Sequence, residues 1–301
     1  MGNTKKKIVC VLVLYLPDKE LLINAIGSVY EQVDKIWISD NTPGDKNNAC
    51  GYLSAFKDKV IYHQIGENIG IAKAQNVGIQ YAIEKKYDYV FFLDQDSICP
   101  DGIVNKLSSR FRILEDMHIK VGGIGPTAYN RETGKVYKAN FKKGRRISEG
   151  MKERQEIISS ASLISTLLFK EIGMMDEYLF IDAVDHELCW RANYLAGYRF
   201  FVDETIALSH KLGEGDRHFL GITVKVPTAF RSYYLYRNYI ILLFRKYVPL
   251  YWKVSNGIKF WGKYFYYPMM CQPRKDYLKN INRGIYDGII YNLKKYLHEN
   301  D

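Results

Sequence analysis

The chain has 301 residues, of which 47% are apolar and 25% are charged, and its net charge is +10. This balance is typical of a globular protein with a sizeable core, and it excludes a disordered or collagen-like chain. No apolar run approaches the roughly 20 residues that a membrane-spanning helix needs. We therefore expect one large globular domain or two ordinary ones.

The first apolar run and the cysteines bear on the compartment. Residues 8–14 follow three lysines, but Pro17 and charged residues stand where a signal peptide would have small ones, so the run is interpreted as a first strand. The five cysteines are an odd number, are scattered and form no CxxC pair, which favours neither a disulfide framework nor a zinc site. A reducing, cytoplasmic location is the expectation.

Short β-branched runs alternate with helical spacing in the first hundred residues. The pattern predicts strands near 8–14, 36–38, 60–62 and 89–93, with helices near 21–29 and 71–85. Alternation of this kind predicts an α/β fold with a mostly parallel sheet, in which ligands bind beyond the carboxyl ends of the strands.

The remaining elements are less regular. We predict a helix from about 100 to 117, a strand at 121–127, a hairpin or loop within 129–156, a helix at 185–196 and a short strand at 199–202. Beyond Pro227 the apolar spacing predicts helices at 228–247, 251–266 and 276–297.

The last 74 residues differ chemically from the rest. Residues 228–301 hold 13 Lys or Arg against 4 Asp or Glu, and 19 of the 43 aromatic residues. We predict two domains, 1–227 and a basic, aromatic-rich helical segment at 228–301. Such a composition favours docking on an anionic membrane surface, although an ordinary aromatic core or single-stranded nucleic acid would also suit it.

The sharpest motif is Asp94-Gln95-Asp96-Ser97, directly after the buried run 89–93. Two carboxylates one residue apart at a strand end can reach a divalent cation that also binds diphosphate oxygens. The alternative is a polar turn whose acids cap the next helix.

A second motif surrounds the start of the predicted helix at 71–85. Glycines at 70 and 78 let backbone amides approach a ligand, and Asn68 and Asn76 can donate and accept hydrogen bonds. The helix amino terminus favours an anion. Alternatively, Asn68 caps the helix and Gly78 relieves crowding against the sheet.

A third acidic motif spans residues 180–192. Asp182 lies just before a predicted helix, Asp185 lies at its start, and Glu187 and Arg191 are one turn apart. A carboxylate there could act as general base, whereas a helix cap with a surface ion pair is the simpler interpretation. His210 follows an apolar run and is by itself best interpreted as structural.

Taken together, these motifs resemble the inverting, nucleotide-sugar-dependent glycosyltransferases of family 2, and in detail bacterial rhamnosyltransferases. The resemblance covers about residues 7–245 and rests on the segments IVCVLVLY, IWISDN, ENIGIAKAQNVGI, FFLDQDS, LFIDAVDHELCWRA and RSYYLYRN. It implies the GT-A fold, a Rossmann-like mostly parallel sheet flanked by helices, here with a helical segment at the carboxyl terminus.

The resemblance also implies roles for individual residues. It assigns Asp185 as catalytic base and Asp182, Glu187 and Arg191 to the substrate, with a divalent cation, Mg²⁺ or Mn²⁺, on Asp96 and on His210. The residues implied to contact the nucleotide are Tyr15, Asn68, Gly70, Lys73 and Asn76, together with Asp40 at the nucleobase and Asp94 near the ribose. The chain departs from many relatives in reading Leu14-Tyr15-Leu16 where they have Thr-Tyr-Asn, and in having Gln75 where a basic residue is common.

The implied reaction transfers a sugar onto a glycan or polyprenyl-linked acceptor in surface polysaccharide synthesis. The expected sugar is L-rhamnose, from dTDP-L-rhamnose. The implied location is cytoplasmic and peripheral, at the inner face of the plasma membrane, without a nucleic-acid partner. Alternatives are another donor, a galactofuranose or hexose nucleotide, a metal-dependent nucleotidyltransferase, or a binding module that has kept the fold without catalysis.

Overall fold

The computed structural model describes residues 5–46, 49–130, 144–210, 216–219 and 222–298. The strands are β1 Ile8–Leu14, β2 Lys35–Asp40, β3 Val60–Gln64, β4 Tyr89–Asp94, β5 Val121–Asn130, β6 Arg145–Ser148, β7 Met151–Arg154, β8 Leu163–Ser165, β9 Arg199–His210, β10 Asp216–Phe219 and β11 Ile222–Lys225. The helices are α1 Lys19–Tyr30, α2 Ile71–Glu84, α3 Ile103–Asp116, α4 Thr166–Ile172, α5 Val184–Ala196, α6 Ala229–Leu243, α7 Leu250–Met270 and α8 Arg274–His298.

Nine of these strands form one sheet in the order β3-β2-β1-β4-β8-β5-β9-β7-β6. The first four are parallel to one another, as the alternating pattern predicts. Strand β8 is antiparallel to β4 and β5, β9 is parallel to β5, and β7 and β6 complete the sheet as an antiparallel hairpin. The order reverses between β1 and β4, which is where parallel sheets of this kind bind ligands.

The buried apolar runs explain why β1 and β4 lie at the centre. Six of the seven residues of β1 and five of the six of β4 are buried, because helices cover both faces of a parallel sheet. Gly78 lets α2 approach the sheet closely: a Cβ there would lie 2.6 Å from Val11 Cγ1 and 2.9 Å from Trp37 Cδ1. The prediction that Gly78 relieves crowding against the sheet is confirmed.

The predicted strand at 199–202 and the predicted helix from Pro100 differ from the structure, whereas the hairpin predicted within 129–156 is present. The strand predicted at 199–202 is β9, twelve residues long. The helix predicted from Pro100 begins at Ile103, after Gly102 in the left-handed conformation, and no side chain caps it. The excursion at 129–156 contains the β6–β7 hairpin, and its residues 131–143 lie outside the described part.

The described residues form two compact units. One comprises the residues up to Tyr178 and from Asp185 to His210, and the other comprises Leu179–Val184 and the residues from Asp216 onwards. The division predicted after residue 227 stays a prediction. All five cysteines are free.

Helices α6, α7 and α8 make the core of the second unit from aromatic side chains. Tyr236 and Tyr267 are fully buried, and Phe260 packs on Tyr236 with ring centroids 4.3 Å apart. Helix α8 approaches α6 closely at a glycine, since a Cβ at Gly284 would lie 2.4 Å from the Tyr233 carbonyl oxygen. The aromatic-core interpretation of this segment therefore holds for part of its side chains. In the described helices, no stretch combines the length and the hydropathy that crossing a bilayer would require.

Candidate active site

The acidic motif lies at the switch point of the sheet. Asp94 is the last residue of β4, and the turn after it is joined to the end of β1 by Gln95. The Tyr15 backbone N–H donates to Gln95 Oε1 at 2.9 Å, and Gln95 Nε2 donates to the Tyr15 carbonyl oxygen at 3.2 Å. This pairing leaves Asp94 half-buried, and Asp96 and the Tyr15 ring exposed, at the edge where a ligand would enter.

Two hydrogen bonds connect this turn to Asp185. Ser97 Oγ and Ser160 Oγ are 3.2 Å apart, and the neighbouring Ser159 N–H donates to Asp185 Oδ2 at 3.2 Å. Asp185 is half-buried near the start of α5, where its Oδ1 also accepts from the His186 N–H at 2.8 Å. The predicted metal motif and the predicted base therefore belong to one small part of the first unit.

The side chains near the acidic turn can be compared with the ligands that a divalent cation needs. Asp94 and Asp96 offer carboxylate oxygens, the ligands that hard divalent cations prefer. Nowhere in the described ranges do three or more His, Cys, Asp or Glu side chains come together to hold a cation by themselves. Two carboxylates fit a cation that takes its other ligands from diphosphate and water.

The end of β2 carries Asp40, which is predicted to hold the nucleobase. Asp40 is fully buried; its Oδ1 accepts from the Thr42 N–H at 2.8 Å and its Oδ2 from the Tyr62 hydroxyl at 2.7 Å. Beside it, Asn41 is also buried, and its Nδ2 donates to the Gly70 carbonyl oxygen at 3.1 Å. Asn41 Oδ1 has no hydrogen-bond partner in the described structure, and an unpaired buried acceptor is costly.

The loop before α2 combines an Asn turn with a left-handed glycine. Asn68 Oδ1 accepts from the Gly70 N–H at 3.1 Å, and Gly70, at φ 85°, is the residue before the helix. Asn68 therefore shapes the loop without capping α2. Lys73, in the first turn, is exposed.

Asn76, which is predicted to contact the nucleotide, forms hydrogen bonds to other residues of the protein. It is buried, and its Nδ2 donates to the Met175 carbonyl oxygen and to Glu177 Oε1, each at 3.0 Å. Its Oδ1 accepts from the Met175 N–H at 2.9 Å. Asn76 thus joins α2 to the segment after α4, which is a structural role.

Asp182 lies in the second unit and is paired inside it. Arg231 of α6 forms a forked ion pair with its carboxylate, and the nearest contact is 2.5 Å. This hydrogen bond raises the pKa of the Arg231 guanidinium. Asn238 Nδ2 donates to the carbonyl oxygens of Leu179, Ile181 and Asp182. These bonds hold residues 179–182 to α6, and the substrate role of Asp182 stays a prediction.

Glu187 and Arg191 form an ion pair that is buried, whereas the simpler sequence interpretation made it a surface pair. The Glu187 side chain is fully buried and accepts from Arg191 Nε at 2.8 Å. Arg191 also donates to the carbonyl oxygens of Ile172 and Met174, each at 2.6 Å. Both charges are used within the protein, and the substrate role of Glu187 and Arg191 stays a prediction. Between them, burial raises the pKa of the Cys189 thiol well above its usual value.

Sequence reasoning missed four residues that build this region. The sequence predicts Gln95 only as the spacer of the acidic motif, and it predicts no role for Asn41, Ser159 or Ser160. The signal for the serines is a cluster of three serines within residues 159–162, directly before a buried strand. The side chain of His210, the predicted second metal ligand, lies outside the described residues.

Comparison with known proteins gives the family. The family model described as Glycosyl transferase family 2 matches residues 10–173. The dTDP-rhamnosyl transferase RfbF of Shigella flexneri is 34% identical over 257 residues, which cover 81% of this chain and 82% of that protein.

Solved structures share the fold at low identity. GalNAc-T7 with UDP, GalNAc and Mn²⁺ has a TM-score of 0.56 at 14% identity, covering 79% of this chain and 51% of that one, so this chain spans about half its length. S. aureus TarS 1–349 in complex with UDP-GlcNAc also has a TM-score of 0.56 at 14% identity, over 93% and 81% of the two chains. The fold is GT-A, and the chain belongs to glycosyl transferase family 2.

Proposed function

We propose that the protein is an inverting rhamnosyltransferase that moves L-rhamnose from dTDP-L-rhamnose onto a hydroxyl of a glycan or lipid-linked glycan. The observation that carries the proposal is the pair of hydrogen bonds from Ser97 to Ser160 and from Ser159 to Asp185. A donor-binding motif and a general base must lie together for sugar transfer. The similarity to a protein named as a dTDP-rhamnosyl transferase supports the choice of donor.

The nucleotide is assigned to the edge formed by the ends of β1, β2 and β4. Asp40, to which the family resemblance assigns the nucleobase, lies at the end of β2. Asn68 and Gly70 form the adjoining loop at the start of α2, where a helix amino terminus favours a diphosphate. Lys73 adds an exposed positive charge to the same turn.

Asp185 is assigned the proton transfer. An acceptor hydroxyl attacks the anomeric carbon from the face opposite the nucleotide, and Asp185 takes its proton as the new C–O bond forms. The bond from the anomeric carbon to the diphosphate oxygen breaks, and dTDP leaves with the electron pair. One displacement inverts the configuration of that carbon.

A divalent cation, Mg²⁺ or Mn²⁺, is part of the proposal, with Asp96 and Asp94 as the residues that would hold it. Bound there, it would neutralise negative charge on the departing diphosphate. This assignment is supported by the two carboxylates at the switch point and by the Mn²⁺ in the GalNAc-T7 structure.

The acceptor side is inferred from chemistry. Polysaccharides built on polyprenyl-diphosphate carriers are extended at a membrane, so we assign the protein to the cytoplasmic face, as a peripheral protein. The basic segment 228–301 is assigned to the anionic surface there.

A donor screen tests the function. Donor hydrolysis and thermal shift should be measured with dTDP-L-rhamnose and with UDP-sugars, each with Mg²⁺, Mn²⁺ or EDTA. We expect dTDP-L-rhamnose to be hydrolysed fastest and to raise the melting temperature most, in a metal-dependent way. A response to a UDP-hexose or a galactofuranose donor alone would replace the donor, and no response to any would contradict the proposal.

Asp96→Ala isolates the cation. We expect the variant to bind the donor at least about tenfold more weakly with Mg²⁺ present, since a carboxylate ligand is lost. Asp96 is exposed, so the variant should melt at the temperature of the parent. Calorimetric titration measures the affinity, with Asp101→Ala, in the following loop, as the control. Equal donor affinity in the parent and in Asp96→Ala would remove Asp96 from the site.

A further inference from the structure

Helix α7 carries an exposed apolar stripe that packing among the described residues does not explain. Six apolar side chains spaced three or four residues apart lie along one side of the helix. They are 56% to 74% exposed: Leu250, Val254, Ile258, Trp261, Phe265 and Met269. The buried contacts of α7 are made by different residues, Phe260 and Tyr267. The helix thus has one face in the aromatic core and a second apolar face in solvent.

The charges around the stripe identify what it fits. Between Asp216 and Asp276 the sequence contains no Asp or Glu and 11 Lys or Arg. Exposed basic residues lie before the stripe, on the same helix and just after it: Lys246, Lys259, Arg274 and Lys275. A second copy packed α7 against α7 would bring together two helices that each carry three lysines and no carboxylate. An anionic lipid surface complements the apolar line and the basic flanks together.

The dimensions and residue types agree with a helix that lies in the membrane interface. Helix α7 has 21 residues, which is about 30 Å at 1.5 Å per residue. Trp261 lies within the stripe, and Trp favours the headgroup boundary. A helix with a basic surround and an apolar line inserts that line among the headgroups and stays parallel to the surface.

We propose that the stripe on α7 is the part of the protein that inserts into an anionic bilayer surface. The proposal rests on the proposed function, which assigns the protein to a membrane surface. It adds which part of the protein makes the contact. The physical claim of docking does not depend on the donor or on the reaction.

Vesicle flotation of the full-length protein tests it. The parent should float with phosphatidylcholine vesicles that contain phosphatidylglycerol, and recovery should fall without phosphatidylglycerol or at about 1 M salt, where the Debye length is about 3 Å. The triple variant Ile258→Gln, Trp261→Gln, Phe265→Gln should partition into the anionic vesicles at least about tenfold less. All three side chains are exposed, so the variant should keep the melting temperature of the parent.

The matched control replaces three apolar residues of the other unit that are 51% to 63% exposed: Ile113→Gln, Met117→Gln and Leu167→Gln. The control should float like the parent. Equal flotation of the two triple variants would overturn the proposal, and so would failure of the parent to bind the vesicles. It would also be overturned if the parent formed a dimer that the α7 substitutions abolish and the control substitutions do not. Donor hydrolysis in solution is measured in parallel: unchanged hydrolysis without flotation rejects the docking surface and leaves the proposed reaction standing.

Discussion

Asp185→Asn is expected to lower sugar transfer by about 10³-fold or more, because general base catalysis contributes 10² to 10⁴ in such reactions. Asparagine keeps the shape of the side chain but cannot take the proton of the acceptor. Donor affinity, measured by calorimetry with the metal present, should stay within a few-fold of the parent, since Asp185 is assigned to the acceptor.

Asp185→Asn also removes a hydrogen bond within the protein. The two carboxylate oxygens accept from two backbone N–H groups, those of Ser159 and His186. Asparagine has one acceptor oxygen, so one of these N–H groups loses its partner, at a cost of about 1 to 3 kcal/mol if it stays buried. The melting temperature must therefore be recorded, and activity compared well below it.

A matched acid-to-amide change provides the control. Asp176 is half-buried and accepts from the Tyr178 N–H at 3.1 Å, but it has no assigned role. Asp176→Asn should lose little transfer activity. Full activity in Asp185→Asn, or an equal loss in both variants, would remove Asp185 from the catalytic role.

The central sheet could be predicted because its signal is local. The residues of β1 and β4 form short continuous apolar runs, and the turn residues that follow them mark the edge where ligands bind. The length of β9 could not be predicted, because three consecutive polar residues, Asp203 to Thr205, interrupt the apolar run after Val202 and its partner β5 is far away in the sequence. Pairing over such a distance leaves no periodic signal.

The site could be predicted as a set of residue types but not as a set of contacts. Asp185 and the acidic turn meet through Ser159 and Ser160, and the serine cluster in the sequence does not show which distant residues it will bond. Asn76 resembled a ligand-binding residue, and only the structure shows its amide bonded to Met175 and Glu177. A polar residue in a motif does not reveal whether its partner is a ligand or the protein itself.

Glu187→Ala is expected to be the most destabilising of the site variants. It leaves the Arg191 guanidinium, whose side chain is 13% exposed, without its carboxylate. Breaking a buried ion pair by removing one partner typically costs about 3 to 5 kcal/mol. Urea unfolding should show this loss, and transfer activity should fall with the folded fraction.

The double variant Glu187→Leu, Arg191→Met separates a structural role from substrate binding. Replacing both charges by apolar side chains of similar size leaves no unpaired buried charge, so much of the stability should return. Part of the loss should remain, because Arg191 also bonds the Ile172 and Met174 carbonyl oxygens. If the pair bound substrate, both variants would instead fold normally and show a raised KM. Since α5 also carries Asp185, recovered stability with recovered turnover would identify the pair as the anchor of the catalytic helix.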